Sequence, residues 1–250
     1  GIVMKGFPGD PVVTGPDGAY KAEVPYQWSG TVTPPREGCN FTPLSREYVM
    51  VDVPQSSQDY DTEVLSYTIS GSVGIEGVVL KGLPGDVVSD SSGFYMVSVE
   101  HGWGGTVTPE KPGLTFTPPS KKYEKVVEAK EDENYNSAPV YFKIEGTTGV
   151  GQVTLSGLPG NVTSDEKGSY SAQVEYGWSG TVVPYKEGYS FSPEQREYPS
   201  LTANRADENY RGEKVYFDIS GNVGLPGVQL AGFPGSVTSK QDASYTPKVD

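Results

Sequence analysis

A single cysteine (Cys39) and a single histidine (His101) in 250 residues leave no material for an internal disulfide, a His/Cys metal cage or a Cys–His nucleophile pair. Long hydrophobic runs are also missing. No stretch of about 18 apolar residues occurs, so no segment reads as a membrane-spanning helix. Basic residues number 19 against 32 acidic ones, and the net charge of −13 argues against a nucleic-acid partner, whose phosphates call for dense Lys and Arg. Helical periodicity is absent too: apolar residues nowhere recur at i, i+3, i+4 and i+7 for three turns. Backbone punctuation is what the chain has in plenty. Its 32 Gly and 21 Pro occupy about a fifth of all positions, well above the roughly 12% of an average protein. Tyr, with 17 copies, is the dominant aromatic.

That punctuation is periodic. Gly82-Leu83-Pro84-Gly85 returns as Gly6-Phe7-Pro8-Gly9, Gly157-Leu158-Pro159-Gly160 and Gly232-Phe233-Pro234-Gly235, with prolines 76, 75 and 75 residues apart. Trp28, Trp103 and Trp178 keep a step of 75, as do Phe41, Phe116 and Phe191, and Tyr60, Tyr135 and Tyr210. An extra residue near Asp10-Pro11 accounts for the step of 76 and marks a surface turn. Between the turns the pattern alternates in short stretches, which is the signature of sandwiches and barrels. In the second copy it predicts strands at Tyr67–Val73, Gly77–Leu83, Val87–Ser89, Phe94–Glu100, Gly105–Pro109, Lys121–Val127 and Asp132–Ser137. Leu83-Pro84-Gly85-Asp86 fits a type II turn, and Asp17-Gly18, Ser92-Gly93 and Lys167-Gly168 fit hairpin corners. Tyr95, Val97 and Val99 share one strand face, as do Tyr170, Ala172 and Val174, and that face is expected to point inward.

The expected fold is therefore all-β, a tandem array of Ig-like, seven-stranded β-sandwich domains of about 75 residues. The expected units are 1–62 (without its first strand), 65–137, 139–212 and a partial fourth at 214–250. Each opens on an Ile-x-Gly strand (Ile69-Ser70-Gly71, Ile144-Glu145-Gly146, Ile219-Ser220-Gly221) and closes on the recurring tyrosine. The connections are too short for a flexible tether, which predicts a stiff, beaded rod of units roughly 30 Å across. Two readings of the incomplete end units stand open: a window on a longer array, or complementation head to tail through sheet edges.

The motifs Gly77-Val78-Val79-Leu80, Asp165-Glu166-Lys167-Gly168-Ser169-Tyr170, Gly177-Trp178-Ser179-Gly180-Thr181-Val182 and Gly188-Tyr189-Ser190-Phe191-Ser192-Pro193 resemble the carboxypeptidase-regulatory-like repeats of bacterial extracellular and surface proteins. The resemblance covers nearly the whole chain. It implies a transthyretin-like sandwich, an extracellular or cell-surface location, and a structural or adhesive role.

Candidate chemistry is sparse. His101 takes the place of Tyr26 and Tyr176, so the position asks for a flat, partly polar ring, and Cys39 takes the place of Leu114 and Tyr189 as a small hydrophobe. Trp28, Trp103 and Trp178 read either as inter-unit or end-of-sandwich packing or as a sugar-stacking platform. Asn161, in Asn161-Val162-Thr163, is a candidate glycosylation site. Acidic residues near Asp86, Asp90, Asp132, Glu133, Asp165, Glu166, Asp207 and Glu208 read as a solvated surface, with calcium as the competing reading. No other cofactor is expected. A copied unit offers no unique cleft for paired carboxylates, so no enzyme activity is expected. The sequence thus points to an extracellular structural protein forming a stalk, sheath or filament. Its expected partners are other copies or neighbouring repeats, with no nucleic acid and no membrane span. The alternative is a carbohydrate-binding or adhesin module contacting glycans or host surface proteins.

Overall fold

Alternating segments between glycine turns form strands throughout the computed structural model, which describes residues 1–249. Every regular element among those residues is a strand, so the protein is all-β. The chain divides into two compact units, Gly1–Ala138 and Pro139 onward.

The second repeat shows the complete pattern. Ser66–Ser72 pairs antiparallel with Phe94–Glu100 over seven residues. Trp103–Glu110 lies between Val79–Lys81 and Lys121–Val126, and Leu114–Thr117 pairs with Asn136–Pro139. The third repeat copies this: Tyr141–Thr147 with Ser169–Glu175, Trp178–Tyr185 between Thr154–Ser156 and Arg196–Leu201, and Tyr189–Ser192 with Arg211–Lys214. The first repeat keeps Trp28–Val32 with Arg46–Val51 and Cys39–Thr42 with Asp61–Val64. Among the described residues the fourth segment holds two-residue pairings, such as Phe217–Asp218 with Lys248–Val249.

Burial follows the alternation. Tyr95, Val97 and Val99 point to the core of the second repeat together with Ile69, Leu80, Val107 and Tyr135; Tyr170, Ala172 and Val174 do so in the third. Gly85 has φ +78°, as the turn at Leu83–Asp86 requires. Gly9, Asp10 and Pro11 stand exposed where the first copy is one residue longer. Strand limits depart from expectation in several places: Gly77–Leu83 shortens to Val79–Lys81, and Gly105–Pro109 lengthens to Trp103–Glu110. Leu114–Thr117 is a strand that the pattern alone does not predict, because four residues between Pro112-Gly113 and Pro118-Pro119 look like loop. The last strand is Asn136–Pro139 rather than Asp132–Ser137, since Asp132 takes φ +58° and bends the chain before it pairs. The segment at Val87–Ser89 reduces to one bridge, Val79 to Val88.

The Ile-x-Gly signature has a steric cause. A Cβ on Gly71 would lie 2.5 Å from the Glu133 carbonyl oxygen and 2.6 Å from its carbon; one on Gly146 would meet Glu208 at 2.5 and 2.7 Å. The strand slides under a backbone arch that only glycine clears.

Candidate functional site

Each tryptophan sits at a bulge in its ladder, where the pairing shifts between Trp28 and Gly30, Trp103 and Gly105, or Trp178 and Gly180. The ring folds back over the glycine two residues on, the next residue on the same strand face. A Cβ there would come within 2.4, 2.9 and 2.6 Å of the indole Cζ2. Its other neighbour is a tyrosine from the adjacent strand: Tyr48, Tyr123 and Tyr198 lie at ring-centroid distances of 5.6, 5.8 and 5.7 Å. All three indoles are half-buried, and those of the second and third repeats pack on the cores.

A second repeated cluster ties the tyrosines to one loop. The hydroxyls of Tyr20, Tyr95 and Tyr170 donate to the carbonyls of Gln58, Glu133 and Glu208. Those of Tyr48, Tyr123 and Tyr198 donate to the side chains of the same three residues. Those of Tyr60, Tyr135 and Tyr210 donate to the carbonyls of Val32, Val107 and Val182. A cation covers the last ring each time: Arg46, Lys121 and Arg196 stand 5.4, 5.2 and 5.4 Å from its centroid. Burial pushes the Tyr135 and Tyr210 phenols up to about 12. Burial also pushes the Glu133 carboxyl up, but its bonds from Lys121 (2.8 Å) and Tyr123 (2.9 Å) outweigh that and hold it below its ordinary value. The cluster is a staple that closes each of these three repeats.

The first and second repeats meet within one compact unit, and the junction is a single residue. Asp61–Val64 ends one repeat, Ser66–Ser72 opens the next, and Leu65 lies between them. Leu65 N–H donates to Gly38 O and Leu65 O accepts from His101 N–H, both at 2.8 Å. The linker is therefore bonded to both repeats. Around it, Glu37 takes hydrogen bonds from Lys125 at 3.1 Å and lies 3.5 Å from His101 Nε2. Gly38 is packed so closely on the imidazole that a Cβ would sit 2.2 Å from His101 Cδ2. His101 thus serves as a flat spacer against Gly38 and Tyr67, whose ring lies 5.9 Å away. Val215 N–H repeats the bond to Gly188 O in the other unit. The shortness of this connection is visible in the sequence. Its bonding is not, because backbone groups leave no side-chain signature.

The remaining candidates are dispersed. Cys39 is half-buried and free. Asn161 is exposed at φ +53° just after the turn glycine Gly160. Asp90 and Asp165 accept backbone N–H bonds that close their own hairpin corners, from Ser92 and Phe94 and from Lys167 and Ser169. Glu133 and Glu208 are engaged in the staples. Among the described residues no group of three or more His, Cys, Asp or Glu gathers as a metal site.

No known family matches the chain, and no curated protein does. The chain is similar to the solved structure of the Bacillus anthracis TIE protein, with a TM-score of 0.53 and 14% identity. The likeness covers 99% of this chain and 60% of that one, so this chain spans 60% of that protein's solved length. A match at this identity speaks for the β fold alone.

Proposed function

We propose that the chain is an extracellular structural protein, a stalk, sheath or filament segment built from tandem transthyretin-like, seven-stranded Ig-like sandwiches of the carboxypeptidase-regulatory-like kind. The observation that carries this reading is the Leu65 junction, bonded by its backbone to the repeat on either side. A one-residue connection with both amide groups engaged has little freedom to bend, and fixing orientation is what a spacing element must do. The module then works by geometry. Antiparallel ladders resist extension, and the net charge of −13 keeps neighbouring copies apart in solution.

The seats of Trp28, Trp103 and Trp178 support packing over a sugar platform. Each indole faces a glycine of its own strand and a tyrosine of the next, so its loss costs core contacts. Electron microscopy of the native material tests the proposal. Particles or filaments of constant axial spacing are the expected result, and a compact particle whose glycan binding disappears with the tryptophans would refute it.

A further inference from the structure

The joint between the first and second repeats holds two side chains that the first and third repeats lack at the same places. Glu37 comes from the first repeat, and His101 and Lys125 from the second. One step of 75 residues on, His101 and Lys125 become Tyr176 and Ser200; one step back they are Tyr26 and Met50. A task shared by every repeat therefore does not account for them.

The imidazole is enclosed and unsatisfied. The His101 side chain is 12% exposed, set between Gly38 and the Tyr67 ring. Its Nδ1 and Nε2 are both buried, and neither makes a hydrogen bond among the described residues. Buried polar atoms are normally paired, so two such atoms on one ring call for an explanation. Glu37 Oε1 lies 3.5 Å from Nε2. The other titratable groups around the ring are the Tyr67 phenol on Ser66–Ser72, Lys125 on Lys121–Val126, the half-buried Cys39 thiol just after Gly38, and the exposed Glu100 on the same strand as His101's own approach. Lys125 Nζ donates to both Glu37 oxygens at 3.1 Å, and that bond holds the Glu37 carboxyl below its ordinary value. Glu37 thus stays ionised throughout the range in which histidines change charge.

We propose that this joint is a proton-operated clasp, in which protonated His101 donates from Nε2 to Glu37 and binds the second repeat to the first more tightly than the neutral ring does. The clasp goes beyond the spacing role of the Leu65 junction and rests on it. The proton supplies a donor aimed at a carboxylate, and a charge-assisted bond is shorter and stronger than a neutral one. Enclosure of the ring and the like charge of Lys125 oppose proton uptake. The carboxylate outweighs them because it lies against the ring nitrogen, whereas Lys125 is 52% exposed and screened by water. The added hold is therefore present when the ring is protonated and is lost as pH rises. It is lost again in stronger acid, as pH falls through the lowered Glu37 value.

The test uses the full chain, whose one histidine gives one imidazole Cε1–H proton resonance. Followed from about pH 8 to about pH 5.5, the span in which histidine changes charge, its midpoint should move to lower pH in Glu37→Gln and to higher pH in Lys125→Met. Amide exchange of Leu65, whose N–H donates to Gly38 O, reads the joint on the same samples. Corrected for intrinsic pH dependence, it should slow on acidification by up to about tenfold for each pH unit that Glu37 adds to the midpoint. His101→Tyr, the side chain used by the first and third repeats, should keep Leu65 protected and abolish the pH response. A midpoint unmoved by Glu37→Gln overturns the proposal, as does Leu65 protection that is constant or falls on acidification. Constant protection leaves the spacing role of the junction standing, whereas a Leu65 amide unprotected at every pH removes the junction and the clasp together.

Discussion

Ile69→Ala measures how much the inserted strand holds a repeat together. Ile69 is fully buried among Leu80, Tyr95, Val107 and Tyr135. Truncating such a side chain removes its transfer free energy and leaves a cavity, which together cost about 2–5 kcal/mol. Ile219 holds the same place in the fourth segment but is 44% exposed. Its truncation opens no closed cavity and forfeits only part of the transfer term, about 1 kcal/mol or less. Linked repeats need not unfold in one step, so a global midpoint would blur the contrast. Native-state hydrogen exchange of Phe94–Glu100, the strand paired with Ser66–Ser72, reads the local opening directly. Ile69→Ala should speed its exchange by roughly 25- to 4000-fold, following the tenfold change per 1.4 kcal/mol, while Ile219→Ala leaves it unchanged. A change below tenfold for Ile69→Ala would refute the claim that this strand is the keystone of its repeat.

Gly71→Ala should destabilise the second repeat by about 1–3 kcal/mol, because the added methyl meets the Glu133 backbone and cannot be relieved by a rotamer change; urea titration followed by exchange of the same strand checks it. The Glu133 carboxyl is held below its ordinary value in the fold, so the stability it contributes is present above the unfolded value of 4.5 and lost as pH falls through the lower folded value. Glu133→Gln should flatten that acid limb of the stability profile measured by denaturant midpoint. Trp103→Ala should lower stability by about 2–3 kcal/mol, scaled down for a half-buried ring, and should leave retention on glycan arrays unchanged.

The repeat, its turns and its inward faces were legible because each rests on local chemistry. Proline and glycine fix the Leu83–Asp86 turn, and Phe94–Glu100 announces itself by alternation. The strand Leu114–Thr117 was hidden, because its pairing with Asn136–Pro139 is long-range and its flanks read as loop. The glycines after each tryptophan were visible, yet their purpose appears only when the indole is seen lying over them. The three tyrosine steps were equally plain in the sequence. Which hydroxyl reaches which carbonyl depends on the path of the loop around Glu133, where Asp132 takes a left-handed conformation. Tyr20–Val24 pairs with no strand among the described residues although its residues still alternate, so alternation alone does not tell which segments pair.

The central claim is that the Leu65 junction fixes neighbouring repeats at one orientation. Spin labels at Ser45→Cys and Ser120→Cys, equivalent exposed sites of the first and second repeats, with Cys39→Ser removing the native thiol, give the distance distribution by pulsed electron resonance. A rigid junction predicts a single narrow peak that broadens when a flexible Gly/Ser stretch is inserted after Leu65. A native distribution already as broad as that of the insertion variant would contradict it.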